Sequence, residues 1–168
     1  MEINKQIRNQ VIADLETALV DGEGQPLIAA YFSGRGEPVT ASDDGETGYL
    51  EVPAISVYML DGESTGQDFD EEEWSSVLAV EIMDLATNQL DDDLDTFSEK
   101  VRGVIDRNYS ANGLLSLCNR AGFSYVREEG APWGSLVLTF SIEYTERGLI
   151  MSDPNLPIKG AAVPRSGA

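Results

Sequence analysis

Between Asp68 and Glu73 the chain reads D-F-D-E-E-E, and Asp68, Asp70, Glu71, Glu72 and Glu73 form its densest run of groups able to do chemistry. Carboxylates this close can share a divalent cation, because calcium and magnesium take oxygen ligands. The run lacks the D-x-[DN]-x-[DN]-G spacing and the later bidentate Glu of a calcium-binding loop. A solvated acidic loop is the plainer reading; Asp68, Asp70, Glu71 and Glu72 stay candidates for bridging a cation, and no metal site is assigned. Paired carboxylates also serve glycoside hydrolases and metal-dependent phosphatases. With 30 acids in the chain, chance pairs are inevitable, and no nucleophile or ligand spacing accompanies them.

The other reactive side chains are few. There is no histidine and only one cysteine, which removes Cys-His and Ser-His-Asp catalysis, disulfide frameworks and Cys/His zinc patterns together. Cys118 lies beside the apolar Leu114, Leu115 and Leu117, so it reads as a core residue rather than a reactive thiol. No cofactor is expected. The net charge of -19, with no Lys or Arg between Arg35 and Lys100, repels a phosphate backbone and argues against sequence-specific DNA binding.

The elements that must carry these groups follow from hydrophobic periodicity. Leu136, Leu138, Phe140, Ile142 and Tyr144 alternate with Val137, Thr139, Ser141 and Glu143, the pattern of a strand with one apolar face. Phe123 to Glu129 reads as its hairpin partner across Gly130, Ala131 and Pro132. At the start of the chain, Ile3, Ile7, Val11, Leu15 and Leu19, widened by Ile12 and Ala18, form the stripe of an amphipathic helix. Its polar face is mixed rather than basic, so it packs on a sheet and not on a membrane.

Leu27 to Phe32 reads as a short strand and Ser33 to Gly48 as a long loop without either period. Ile55, Val57 and Met59 begin a strand that ends at Asp61-Gly62. Asp61 to Glu73 then reads as an acidic loop, and a long strand starts at Trp74. Asp91, Asp92, Asp93 and Asp95 precede Leu94, Phe97, Val101, Val104 and Ile105, with Lys100, Arg102 and Arg107 later. This matches the N-cap, first turn and C-terminal end of a helix dipole. Gly113 to Arg120 reads as one more short helix.

Together these give an α+β domain at 1–146: a mainly antiparallel sheet of about five strands, with two or three helices packed on one face. Residues 147–168 read as a Pro/Gly-rich extension too short to build a core. No signal peptide or membrane span is expected, which places the protein in a cytoplasm-like compartment.

Several stretches, taken in order, resemble the tail terminator family of lambda-like long-tailed phages, also called minor tail protein U. They are V-P-A-I-S-V-Y-M (Val52 to Met59), S-T-G (Ser64 to Gly66) before the acidic run and Trp74, V-E-I (Val80 to Ile82) and D-D-L-D-T-F (Asp92 to Phe97). A-G-F-S-Y-V-R-E-E (Ala121 to Glu129) leads into W-G-S-L-V-L-T-F-S-I-E-Y, which ends at Tyr144. The last block is the most specific; the loop Ser33 to Gly48 and the tail after Glu146 depart from the family pattern.

The resemblance implies a non-enzymatic virion protein at the head–tail junction, present in the host cytoplasm during assembly. It implies a homo-oligomeric ring, a hexamer, that caps the tail tube, stops its growth and offers a surface to a head-completion or neck protein. DNA would pass through such a ring without specific binding, and no membrane is involved. The candidate contact residues are Arg35, Asp43 and Asp44 in the first loop, Asp61, Glu63, Asp68 and Asp70 in the second, and Leu149, Ile150, Leu156 and Ile158 in the extension. From another class, an acidic inhibitor or DNA mimic that binds a nucleic-acid enzyme also fits the charge.

Overall fold

The computed structural model describes residues 1–38, 40–41 and 49–148. Two long strands, β5 (Glu71–Leu85) and β7 (Trp133–Arg147), lie antiparallel in an unbroken ladder from Glu71 opposite Arg147 to Leu85 opposite Trp133. The alternation of β7 holds throughout its apolar stretch: Leu136, Leu138, Phe140, Ile142 and Tyr144 are buried, while Val137, Thr139 and Ser141 are half-buried and Glu143 is exposed. Strand β4 (Ala54–Gln67) pairs antiparallel with the other side of β5, and β6 (Leu117–Val126) with the outer side of β7. A short β1 (Ala30–Ser33) joins β4 in parallel, giving the order β1-β4-β5-β7-β6. The sheet is thus antiparallel except at one edge. Strands β2 (Thr40–Ala41) and β3 (Tyr49–Leu50) form a separate two-stranded sheet.

Helix α1 (Glu2–Ala18) turns Ile7, Val11 and Leu15 onto β1 and β4, and α2 (Leu90–Val104) turns Leu90, Leu94 and Val101 onto β5 and β7. The helices touch each other, so one face of the sheet carries both. The core lies between them and the apolar residues of β4, β5 and β7. Each fully buried Leu or Ile there contributes about 1.5–3 kcal/mol of apolar burial. Two tyrosines tie helices and connections together: Tyr144 donates to Asn4 Oδ1 at 2.7 Å, and Tyr109 donates to Asp14 Oδ2 at 2.7 Å. Cys118 is buried at the start of β6, as its apolar neighbours predict.

Several expectations need correction. The strand expected at Leu27 to Phe32 begins at Ala30 and ends at Ser33. Residues 61–73 are no loop: β4 continues to Gln67 and β5 begins at Glu71, with only a tight turn between. This distal half of β4 is exposed on both faces, so no buried side marks it with a period of two. It is held by its ladder to β5, with register shifts between Met59 and Gly62 and between Ser64 and Gly66. No helix forms at Gly113 to Arg120 either. Ala111, Asn112 and Gly113 all take positive φ, at 46°, 56° and 86°, a left-handed run that a right-handed helix cannot include. Ser116 N–H then bonds Glu143 O at 2.9 Å and delivers the chain to β6, which spans Leu117–Val126 rather than Phe123 to Glu129. The N-cap of α2 is Gln89; the aspartates Asp91, Asp92 and Asp93 supply its first turn only. Ala18 faces solvent and adds nothing to the α1 stripe.

Candidate interaction surfaces

Three surfaces carry the polar and aromatic groups that the core does not use. The first is an arm. Beyond the helices, the distal halves of β4 and β5 and the end of β7 run on as three strands, and the β4–β5 turn at Asp68, Phe69 and Asp70 forms the tip. Asp68 N–H bonds Glu71 O at 2.8 Å, Asp68 Oδ1 accepts from Phe69 N–H at 2.7 Å, and Gly148 N–H bonds Asp70 O at 2.8 Å. Arg147 and Glu71 pair at 3.0 Å across the arm, both substantially exposed, a contact worth at most about 1 kcal/mol. Phe69 is 97% exposed.

Of the contact candidates, Asp61, Glu63, Asp68 and Asp70 all fall on this arm, exposed. Within one chain, the cation-bridging candidates do not converge. Glu71 and Glu72 are neighbours on an extended strand and point to opposite faces, and Glu71 is taken by Arg147. Among the described residues no group of three or more Asp, Glu, Cys or His is placed to hold a metal ion.

The second surface is the sheet face away from the helices. Glu81 sits near its middle, half-buried, its Oε1 accepting from the Ser135 hydroxyl at 2.7 Å and its Oε2 from the Tyr58 hydroxyl at 3.2 Å. Residues 34–38 cross the edge of this face. Gly36 N–H donates to Ser56 Oγ at 3.1 Å, and the Ser56 hydroxyl donates back to Gly36 O at 3.0 Å. Phe32 packs so close to Gly36 that a Cβ there would lie 2.3 Å from its ring, which only glycine avoids.

The guanidinium of Arg35 stands 5.1 Å from the centroid of the Tyr58 ring, a cation–π placement. Arg35, Glu37, Tyr58, Glu81, Glu128 and Trp133 line a cleft of about 390 Å³. Burial first, then the charge and hydrogen bond of Glu81, push Tyr58 up to about 12, against the opposing charge of Arg35. At neutral pH it is a hydrogen-bond donor, not a base. The Cys118 thiol is likewise pushed up to about 11, by burial and then by Asp106, so it is no nucleophile at neutral pH.

The third surface is the β6 edge. Phe123, Tyr125 and Val126 are exposed there, with the first two rings edge to face at a centroid distance of 5.9 Å. The Tyr125 hydroxyl donates to Asp95 of α2, and that bond first, with burial and the charge of Asp95 behind it, raises its pKa. Basic residues gather beside it: Lys100 and Arg102 on α2, Arg107 after it, Arg120 on β6 and Arg127 just beyond.

None of the β6-edge residues was among the sequence candidates, and neither was Phe69. An aromatic inside D-F-D-E-E-E was a visible signal, since such a run cannot bury it. The β6 edge gave none, because its apolar residues read as core until the strand is known to be outermost. Asp43, Asp44, Leu149, Ile150, Leu156 and Ile158 lie outside the described residues.

No constellation of nucleophile, base and oxyanion donors accompanies these surfaces among the described residues, and no helix there is long and apolar enough to cross a membrane. Comparison with known proteins gives a match along most of the chain: the family described as phage minor tail protein U matches residues 2–144. The tail tube terminator protein of Escherichia phage N15 is 29% identical over 143 residues, covering 84% of this chain and 97% of that protein. The tail tube terminator protein of Escherichia phage lambda is 28% identical over 134 residues, covering 78% of this chain and 95% of that one. These matches define a structural protein of phage tails. The chain belongs to the phage minor tail protein U family.

Proposed function

We propose that this protein is a tail tube terminator of a long-tailed phage, working as a ring, a hexamer, that caps the tube, ends its polymerisation and presents its other face to a head-completion or neck protein. The observation that carries the reading is the match to two tail tube terminators over nearly their whole length. The fold is consistent with it, since a rigid sheet with an exposed arm and an exposed edge offers contact surfaces at different places. In the virion the ring stands at the head–tail junction. Its acidity lets DNA slide through without being held, because carboxylates repel phosphates. Leu149, Ile150, Leu156 and Ile158 of the extension, with Asp43 and Asp44, serve as further contacts to neighbours.

Six copies at -19 each repel one another, so assembly is conditional. Electron microscopy and sedimentation of the purified protein test this. A monomer in dilute low-salt buffer should close into rings with a central hole when magnesium, more salt or tube ends are added. Phage lacking the protein should release tails of abnormal length. A monomer under every condition, together with normal tails in its absence, refutes the reading and leaves the acidic inhibitor as the better account.

A further inference from the structure

The bases of this protein are few, and Lys5, Arg8, Arg35 and Arg147 lie apart from one another, but the remaining five among the described residues share one edge. Lys100, Arg102, Arg107, Arg120 and Arg127 collect along α2 and β6, at one edge of the sheet. Among the described residues only Arg102 of these five forms an ion pair, with Glu99 one turn earlier at 3.5 Å. Lys5, Arg8 and Arg35 also form none there, so what sets this edge apart is the gathering of charge and not the lack of pairing; Arg120 Nη2 donates to Arg102 O at 3.5 Å, which brings two of the cations together. Between Arg102 and Arg120 lies a groove of about 220 Å³, built over the irregularity in β6 at Ala121, with Leu138, Phe140 and Phe123 among its lining residues. It is shallow and open, with the exposed Phe123 ring on its wall, Leu138 and Phe140 buried beneath it and the two arginines at its rim.

The arm tip has the opposite form. Phe69, 97% exposed, stands between Asp68 and Asp70 and is followed by three glutamates. A phenyl ring held in water at the end of a hydrogen-bonded hairpin is an apolar anchor with an acidic collar. It cannot fill the groove of its own chain. Phe140, at the groove, and Arg147, at the base of the tip, are seven residues apart on one extended strand, roughly 23 Å at the rise of a β-strand. The tip is held there by the β4–β5 and β5–β7 ladders.

We propose that the two surfaces are halves of one contact between copies of this chain: Phe69 of one copy enters the groove of the next, and Asp68 and Asp70 meet Arg120 and Arg102 at its rim. Knob and socket lie on different parts of the molecule, so the contact is heterologous, the kind that closes a ring when the rotation allows and runs on as a fibre when it does not. This inference rests on the ring reading above and names the surfaces that make it.

Sedimentation velocity of the full chain tests it, in whichever buffer assembles the unaltered protein. Phe69→Ala and Arg120→Glu both change exposed residues, and circular dichroism should show both folded. Each alone should need at least about tenfold more protein to associate, the equivalent of losing one interface anchor. Mixed one to one, they should form dimers and nothing larger, because the intact tip of Arg120→Glu fits the intact groove of Phe69→Ala and both free ends of that pair are disabled. If Phe69→Ala assembles as readily as the unaltered chain, or if the mixture stays monomeric or grows beyond dimers, the inference is overturned and the ring reading stands. If the unaltered chain never assembles, both fall.

Discussion

Ile142 tests the fold most sharply. It is fully buried on β7, opposite Ser76 on β5 and Cys118 on β6, in the same row as Leu138, Phe140 and Tyr144. Cutting it to alanine removes three carbons from a site walled by two ladders that cannot collapse inward, so the loss should fall in the usual range of about 2–5 kcal/mol. A domain of this kind has about 5–15 kcal/mol in all, so Ile142→Ala should fold but melt early. With a urea slope of about 2 kcal/mol per molar, a loss near 3 kcal/mol moves the unfolding midpoint down by roughly 1.5 M. Ile142→Asp is different in kind. The nearest polar groups are already engaged, Ser76 with Asp61 O and Tyr144 with Asn4, so the new carboxylate enters the core unpaired at a cost of several kcal/mol beyond the lost packing. That variant should not fold. Tryptophan fluorescence in urea reads both, through Trp74 against the core and Trp133 at the start of β7. An Ile142→Asp protein unfolding within about 1 kcal/mol of the parent would falsify the claim that this face of β7 is the core.

Two further expectations concern titrating groups. The Cys118 thiol, at about 11 in the folded chain and 9 as its ordinary value, should resist alkylation at pH 8 until denaturant is added. Its contribution to stability should be intact below pH 9 and lost as pH rises from there to 11, because the unfolded chain releases that proton first. Rapid labelling of the native protein at pH 8 would show the thiol exposed. Glu81→Gln should lower the Tyr58 pKa from about 12 only part of the way towards 10, since burial is the larger cause and the Glu81 charge the smaller. Tyrosinate absorbance, with Tyr58→Phe subtracted, measures it, and an unchanged titration would remove Glu81 from the account.

What could be read from the residues alone was whatever one buried face imposes. The stripe Ile7, Val11, Leu15 gave α1, and the alternation of Leu136 to Tyr144 gave β7, because half of each element sees the core and half sees water. Cys118 was legible for the same reason. The distal half of β4 was not: with both faces in water, Asp61 to Gln67 has no apolar alternation, and only the ladder to β5 makes it a strand. Gly113 to Arg120 failed differently. Leu114, Leu115 and Leu117 suit a helix, but the left-handed turn at Ala111 to Gly113 redirects the chain, and the place on β7 that it reaches is a tertiary fact. The candidate surfaces divide along the same line. Asp61, Glu63, Asp68 and Asp70 could be named as candidates because charge is visible in a sequence, and they stand exposed on the arm. The β6 edge was missed because its exposure depends on which strand happens to be outermost.

In the proposed assembly the charge pattern acts through two effects of different range. Net repulsion between copies at -19 each operates between surfaces many ångströms apart, where screening is effective: the Debye length is about 8 Å at physiological ionic strength. The attraction between the acidic tip and the basic groove operates at contact, partly shielded from water by the Phe69 ring, and is screened much less. Raising salt from a low value therefore removes repulsion faster than attraction, and association should strengthen. Near 1 M, where the Debye length is about 3 Å, the contact pairs weaken too and association should fall back. A chain of uniform acidity would instead gain steadily from salt until saturation. The shape of that curve, peaked or monotonic, separates assembly directed by the Arg102 and Arg120 edge from mere relief of repulsion.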